Sequence, residues 1–431
     1  MPAPAPLRFC MVTTFYPPHH FGGDAMYVYR LAEALAERGH VLDVVHSVDA
    51  YRLQHPADPE VAFTHHPNVT RHPLSSRRPR LAALASHQLG GPALYRGRLR
   101  AVLEGRRYDV IHYHNVSLLG APGVLEMGPA PVKLYTANEY WLICPTHVLF
   151  AFDREACTER KCLACTLHYK RPPQAWRYTG ALRRALRHVD RILVPSRFAL
   201  EQHRSQGIDR PLVHLPYFVP APPAVDDPVG LSLPDRPFFL YVGRLEKLKG
   251  VQDILHLFAD YREADLLIVG AGSYEGVLRE QARGLPHVRF LAKVHPAALS
   301  AIYRKAVAVL VPSLCYETFG LTAAEAMSHG TPAIVRRIGA LAENIDQSGG
   351  GLGFATLEEC RAAMERLRTQ PALRDELGRR GAEAVRTRWS VEAHLAQYLD
   401  IVADVRREKD AAGAAPAGMA RDEDGAVVAG R

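Results

Sequence analysis

The sequence predicts an α/β protein made of two doubly wound units that face each other across a cleft. Three observations predict it. Short apolar runs suited to buried parallel strands recur through both halves of the 431-residue chain, separated by segments of helical period. The first run leads through a Gly-Gly loop into a helix and then a second run, which is the repeating unit of a parallel sheet. Between the halves, Leu215 to Pro237 holds seven prolines and few helix formers, as an interdomain linker would.

The elements follow in order. Leu7 to Thr13 is an apolar run, followed by the loop Tyr16-Pro17-Pro18-His19-His20-Phe21-Gly22-Gly23. Asp24 is placed to cap a helix whose apolar positions are Met26, Val28, Leu31 and Leu35, and Gly39 stops it. Val41–His46, Val110–His114, Val132–Thr136 and Arg191–Val194 complete the strands of the first half. The pattern restarts after the linker with Phe238–Gly243, Asp265–Gly270, Val288–Leu291 and Val307–Val311. The expected organisation is an N-terminal unit at 1–215, a linker at 216–237, a C-terminal unit at 238–388 and a helix at 389–407 that returns to the first unit. The Ala/Gly-rich stretch 408–431 has no apolar face and is expected to be a disordered tail.

Composition narrows the class. Hydrophobic residues at 48% and charged residues at 23% are ordinary for a globular protein, which excludes collagen-like, disordered and disulfide-stapled classes. No apolar run reaches the roughly 18 residues that a membrane span needs. No secretory signal is evident at the N-terminus, so a cytoplasmic location with reduced cysteines is expected. Charge is unevenly spread. Residues 1–213 hold 27 basic and 17 acidic residues, whereas 214–431 hold 26 and 28. Arg71 to Arg107 contains nine arginines and one acid, Glu104. Such a field suits an anionic partner, and apolar residues between Leu81 and Leu89 favour a membrane surface. Nucleic acid is not expected, because Tyr95 is the window's one aromatic. The plainer alternative is a solvated, arginine-rich helix face.

The strongest chemical motif is Pro312 to Met327. It follows a buried strand and opens a helix, so the N–H groups of Phe319, Gly320, Leu321 and Thr322 are placed to meet a diphosphate. Glu317 precedes the helix and Glu325 lies one turn inside it. Carboxylates tolerate phosphate poorly and suit sugar hydroxyls; alone, the pair would read sooner as a cap and a surface acid. Arg244 and Lys249 follow another strand and bring two cations to one diphosphate without a metal.

Together these motifs resemble the family 4 glycosyltransferases. The resemblance covers about residues 7–405. It includes Gly22-Gly23, Leu31 to His40 (LAEALAERGH), Asp109 to His114 (DVIHYH), Val242 to Gly250 (VGRLEKLKG), Val269 to Gly272 (VGAG), the Glu317…Glu325 pair and Gly330-Thr331-Pro332. It implies the GT-B fold, two Rossmann-like domains across a cleft, and a retaining transfer from a nucleoside-diphosphate sugar to a sugar or lipid-linked acceptor, as in cell-envelope glycan synthesis. By the same resemblance Arg244, Lys249 and the Phe319–Thr322 backbone hold the donor phosphates. Glu325 holds the ribose, Glu317 the donor sugar, and Gly22 and Gly23 approach from the N-terminal side. No cofactor is implied for catalysis. A membrane-peripheral position on the inner face would suit a lipid-linked acceptor. The alternatives are a non-catalytic nucleotide-sugar-binding protein and a nucleotide-sugar epimerase on the same fold.

The sequence departs from the family in three places. Asn138, in Thr136-Ala137-Asn138-Glu139-Tyr140, stands where many relatives have a His; it can bond a donor hydroxyl but takes no proton at neutral pH. Pro216-Tyr217-Phe218 replaces an Asn-Gly, and Ala292-Lys293-Val294-His295 stands where a Gly is common. His112 and His114 are expected to face opposite sides of their strand, His114 toward the cleft and His112 into packing. Finally, Cys144, Cys157, Cys162 and Cys165 fall within an insertion at 144–165. The Cys162-x2-Cys165 spacing is that of a metal knuckle, so a structural zinc is expected, with an iron–sulfur cluster or reduced thiols as alternatives.

Overall fold

The computed structural model describes residues 5–55, 59, 62–223, 233–291, 294 and 296–414. The tail beyond 414, the linker stretch 224–232, and Ala292, Lys293 and His295 lie outside the described residues.

The first sheet has seven strands: β1 (Arg8–Val12), β2 (Val41–Ser47), β3 (Val69–Leu74), β4 (Val110–Tyr113), β5 (Val132–Thr136), β8 (Arg191–Val194) and β9 (Leu212–His214). A short antiparallel hairpin, β6 (Phe150–Ala151) with β7 (Glu155–Ala156), lies in the insertion between β5 and β8. The second sheet comprises β10 (Phe238–Val242), β11 (Asp265–Val269), β12 (Val288–Leu291), β13 (Ala308–Val311), β14 (Ala333–Arg336) and β15 (Gly351–Phe354). The strand orders are β3-β2-β1-β4-β5-β8-β9 and β12-β11-β10-β13-β14-β15, with every pairing in both large sheets parallel. Both orders reverse beside their first strand. Each unit therefore has a crevice at the carboxyl end of that strand, where ligands of open α/β sheets bind.

The central strands are apolar and almost wholly buried, as sheets covered on both faces require. The sequence pattern misses strands mainly toward the sheet edges. β3 is an edge strand that carries Arg71, His72 and Pro73, so it shows neither a continuous apolar run nor clean alternation. β9 and β15 are likewise edges, and β14 lies beside β15.

Two expectations change. The proline-rich segment after Leu215 is more than a spacer where it is described. Tyr217, Phe218 and Val219 are buried in an apolar cluster drawn from both units. Tyr217 stacks on Tyr27 at 4.2 Å between ring centres and meets Phe319 at 5.5 Å, and Phe319 meets Trp389 at 5.4 Å. The chain passes between the units through core, which limits how freely they move. The last helix, Val391–Ala414, also runs past residue 407 into the stretch expected to be disordered. It is held on the first unit by polar contacts that a tail would lack: Tyr398 Oη to His112 Nδ1 at 3.0 Å, Arg406 to Asp109 at 3.2 Å, and Lys409 Nζ to Asp190 at 2.7 Å. Arg191 adds an ion pair to Glu408.

Candidate active site

The two crevices face each other and form one cleft of about 420 Å³. From the first unit come Phe15 beyond β1, Asn115 beyond β4, and the start of the helix Gly22–Ala36. From the second come Gly243 and Arg244 beyond β10, Ser313 beyond β13, and the start of the helix Leu321–Ser328.

Gly320 caps that second helix at φ +91°, and a Cβ there would stand 2.5 Å from Leu341 Cδ2. Glycine meets both demands, and the first helical N–H groups are presented to the cleft. The chain turns so tightly because the Asn344 amide donates to the Phe319 carbonyl. Gly22 and Gly23 bring the units together. A Cβ on Gly22 would lie 3.6 Å from Arg244 Nε, and one on Gly23 would lie 3.0 Å from Leu321 Cδ1. Two helix N-termini and Arg244 therefore bound the same space, which favours an anion there.

Lys249 and Glu317 are joined, Nζ to Oε1 at 2.6 Å, and Ser313 Oγ donates to the same Oε1 at 2.7 Å. Burial opposes the Glu317 charge, but Lys249 and Ser313 outweigh it and hold the carboxyl below its usual range. Burial likewise opposes the Lys249 charge, and Glu317 more than compensates, raising the ammonium pKa. Arg244 is half exposed, bonded to Glu246 at 2.8 Å, and can swing to a ligand at low cost.

Asn138, in the first unit, is gripped by the linker and by the second unit. Its Oδ1 accepts from Tyr217 Oη at 2.8 Å and its backbone carbonyl accepts from Thr318 Oγ1 at 3.1 Å. Its Nδ2 is buried at the cleft wall without a hydrogen-bond partner, so it is a donor ready for a ligand hydroxyl.

The structure thus gathers Asn138, Gly22, Gly23, Arg244, Lys249, Glu317, Phe319, Gly320, Leu321 and Thr322 around one cleft. Two expected residues fall outside the cleft lining, one at its edge and one in the core. Glu325 is paired with Arg30 at 2.9 Å and lies beyond Thr322, where the cleft lining ends. His114 is fully buried and outside the lining. Residues two apart on a strand share a face, so the expected separation of His112 from His114 does not hold, and their rings lie 4.0 Å apart. Burial lowers the His114 pKa to about 3, so it is neutral at working pH. The expectation that it faces the cleft is corrected: it packs in the core.

Other lining residues escape the motif reading. Asp24 lies in the first turn of its helix, whose cap position is Phe21, so the expected cap is a cleft residue instead. Burial, with Glu139 nearby, raises its carboxyl pKa. The Glu139 carboxylate meets His147 Nδ1 at 3.1 Å. His147, Thr146, Val148 and Arg171 belong to the cysteine-bearing insertion and its flank, which supplies one wall of the cleft. The sequence signalled this region through Asn138 and the four cysteines, but not its part in the cleft wall. The four cysteines themselves line a separate, smaller cavity.

Comparison with known proteins agrees with this architecture. Residues 21–221 match the family model described as Glycosyltransferase Family 4, and residues 236–370 match that of the Glycosyl transferases group 1. An uncharacterized glycosyltransferase of Methanocaldococcus jannaschii is 26% identical over 80% of this chain and 84% of its own. A D-inositol 3-phosphate glycosyltransferase of Corynebacterium kroppenstedtii is 38% identical over 126 residues, which span 28% of that relative's length and 26% of this chain. Among solved structures, sucrose-phosphate synthase from Thermosynechococcus elongatus superposes with a TM-score of 0.69 at 22% identity, covering 94% of this chain and all (100%) of that one. Anabaena HepE in complex with UDP-glucose superposes at 0.64 and 14% identity, covering 92% of this chain and 100% of its own.

Proposed function

The chain belongs to the family 4 glycosyltransferases, with their GT-B fold, and from that premise we propose that it moves a sugar from a nucleoside-diphosphate sugar to a hydroxyl acceptor with retention of anomeric configuration. The observation that carries the reading is the joint placement of Arg244, Lys249 and two helix N-termini, one from each unit, around a cleft that also holds Asn138 and Glu317. A binding partner with a diphosphate and a polyol satisfies both sets. HepE, whose structures hold UDP and UDP-glucose, supports that donor class by likeness of fold.

In this mechanism the bond between the sugar's anomeric carbon and the diphosphate oxygen breaks while the acceptor oxygen bonds to the same face of that carbon. The acceptor proton passes to the departing phosphate. No protein base is needed, which accommodates Asn138 in place of His. Arg244, Lys249 and the N–H groups of Gly320 to Thr322 stabilise charge on the departing diphosphate, where fixed donors act most strongly. Glu317 holds Lys249 and the donor sugar's hydroxyls, and Asn138 Nδ2 donates to another hydroxyl. Incubation with a panel of nucleotide sugars should release free nucleoside diphosphate, faster when the right acceptor is present. No release with any donor, despite measurable nucleotide binding, would favour the non-catalytic reading.

A second observation favours a lipid-linked acceptor. Leu81, Leu84, Leu89 and Leu94 are 47%, 51%, 72% and 55% exposed, and exposed Arg77, Arg78, Arg80, Arg96, Arg98 and Arg100 flank them. The helix Pro79–Leu89 buries alanines and Ser86 and turns leucines outward, the reverse of an ordinary surface helix. Anionic lipid supplies both the apolar phase and the countercharge, at about 1 kcal/mol per arginine near the surface. Among the described residues no helix is long and apolar enough to cross a membrane, so the attachment proposed is peripheral. Sedimentation with anionic vesicles should carry the protein down at low salt, and changing Arg77, Arg78 and Arg80 to Ser should reduce it. Equal binding to neutral vesicles, or none to either, would remove this part of the proposal.

A further inference from the structure

We propose that Cys144, Cys157, Cys162 and Cys165 bind one zinc ion that fixes the insertion as a wall of the cleft. All four residues line a single cavity of about 20 Å³, room for roughly one water-sized sphere. Three separate local structures deliver them. Cys144 ends the turn after Tyr140, its N–H bonded to the Tyr140 carbonyl at 2.7 Å. Cys157 follows the hairpin β6–β7, with its N–H on the Leu149 carbonyl at 2.7 Å. Cys162 and Cys165 sit in the first turn of the helix Cys162–His168, three apart and so on one face. Convergence from three elements is what a sulfur site requires, and four sulfurs are the donor set of a closed tetrahedral zinc.

The surroundings fit the charge. Four thiolates around a divalent cation leave two negative charges, and the Arg160 and Arg177 guanidiniums lie within electrostatic reach of Cys162. Arg177 is held there by stacking on Trp176 at 4.7 Å and by donating to the Trp141 carbonyl at 2.7 Å. All seven cysteines are free thiols. No three of the described His, Cys, Asp or Glu side chains already close on a metal-sized point. Local contacts hold two of the thiols back: Cys144 Sγ meets Thr146 Oγ1 at 3.2 Å and Cys157 Sγ meets the Glu159 carbonyl at 3.3 Å. Both contacts are weak, and rotation about single bonds exchanges them for metal–sulfur bonds. Each thiol gives up its proton to solvent as it binds.

Beyond buried Leu149 and Phe150 and hydrogen bonds such as Tyr169 Oη to the Phe150 carbonyl at 2.9 Å, the insertion has little regular structure to hold it. Its hairpin strands are two residues long, Leu163 and Leu167 are exposed, and no disulfide ties it. Yet it carries Thr146, His147 and Val148 into the cleft and reaches the opposite unit, where Lys247 Nζ donates to the Asp153 carbonyl at 2.8 Å. A metal at its centre supplies the rigidity that a cleft wall needs.

The test is metal content and cobalt spectroscopy on the full chain. Protein purified without added metal should carry about one zinc per chain. After removal by a chelator, titration with Co²⁺ should produce intense near-ultraviolet sulfur-to-cobalt bands that saturate at one ion per chain and vanish on adding Zn²⁺. Zinc should also protect four thiols from alkylation while Cys10, Cys315 and Cys360 stay as reactive as before. Cys165→Ser should weaken cobalt binding at least tenfold, and Cys360→Ser should not. Absence of both zinc and cobalt bands in the wild-type chain, or a native disulfide within the set by mass analysis, would overturn the proposal. Because none of these readouts needs a sugar donor, failure here is distinct from failure of the transferase reading.

Discussion

Arg30 Nη2 lies 2.9 Å from Glu325 Oε1, so one ion pair joins the helix Gly22–Ala36 of the first unit to the helix Leu321–Ser328 of the second. Both side chains are about three-quarters buried, at 23% and 24% exposure, so water screens the pair less than a surface bridge. The pair engages the carboxylate that family resemblance gives to the donor ribose. Any ribose bound by Glu325 must compete with Arg30.

That competition predicts opposite effects for the two partners. Glu325→Ala should weaken nucleoside diphosphate binding about tenfold, as loss of a charge-assisted contact does. Arg30→Ala should leave the affinity unchanged or raise it. Calorimetry on both variants checks this, and weaker binding by Arg30→Ala would make Arg30 itself a ligand contact.

Arg244→Ala and Lys249→Ala should each weaken diphosphate binding by about 1.5–3 kcal/mol, roughly 10- to 150-fold. They should differ in stability. Arg244 is half exposed and its loss should cost little, whereas Lys249→Ala leaves Glu317 buried without its countercharge. A lower melting temperature is expected for Lys249→Ala alone.

The same pair sets a pH dependence. Glu317 is held below its usual pKa, so its contribution is complete above the unfolded value and is lost as pH falls through the lower folded value. Lys249 is raised, so its contribution is complete below its unfolded pKa of 10.5 and is lost as pH rises through the higher folded value. Neutral pH lies inside both windows. Denaturation midpoints of the wild type minus those of Glu317→Gln should be flat around neutrality and shrink in acid.

Asn138→Ala should lower turnover about tenfold with little change in nucleoside diphosphate affinity, because Nδ2 is assigned to the sugar. Tyr217→Phe removes the bond that orients the amide and should show a smaller effect of the same kind. Loss of nucleotide affinity by Asn138→Ala would contradict the assignment.

Gly320→Ala should cost about 1–3 kcal/mol of stability and weaken diphosphate binding as well, because an alanine at φ +91° is strained and its Cβ meets Leu341. Thermal denaturation and calorimetry read the two effects. An alanine variant with wild-type values in both would show that the turn relaxes freely.

The sequence by itself determined the repeating strand–helix order, because central parallel strands are buried on both faces and read as apolar runs. Local motifs also located the end of the cleft that is proposed to take the diphosphate. Gly320 and its helix start, or Arg244 after its strand, act through backbone geometry and charge within a few residues of each other. What only the tertiary structure decided depends on contacts between distant segments. His114 became core because Tyr27 and His112 pack against it, and Glu325 was drawn to Arg30 from a helix nearly 300 positions away. Asp24, Glu139 and His147 became cleft residues because the two units and the insertion meet there. Tyr217 and Phe218 looked like linker and became part of the core, because a buried aromatic is defined by what packs on it, and Tyr27, Phe319 and Trp389 come from three other places in the chain.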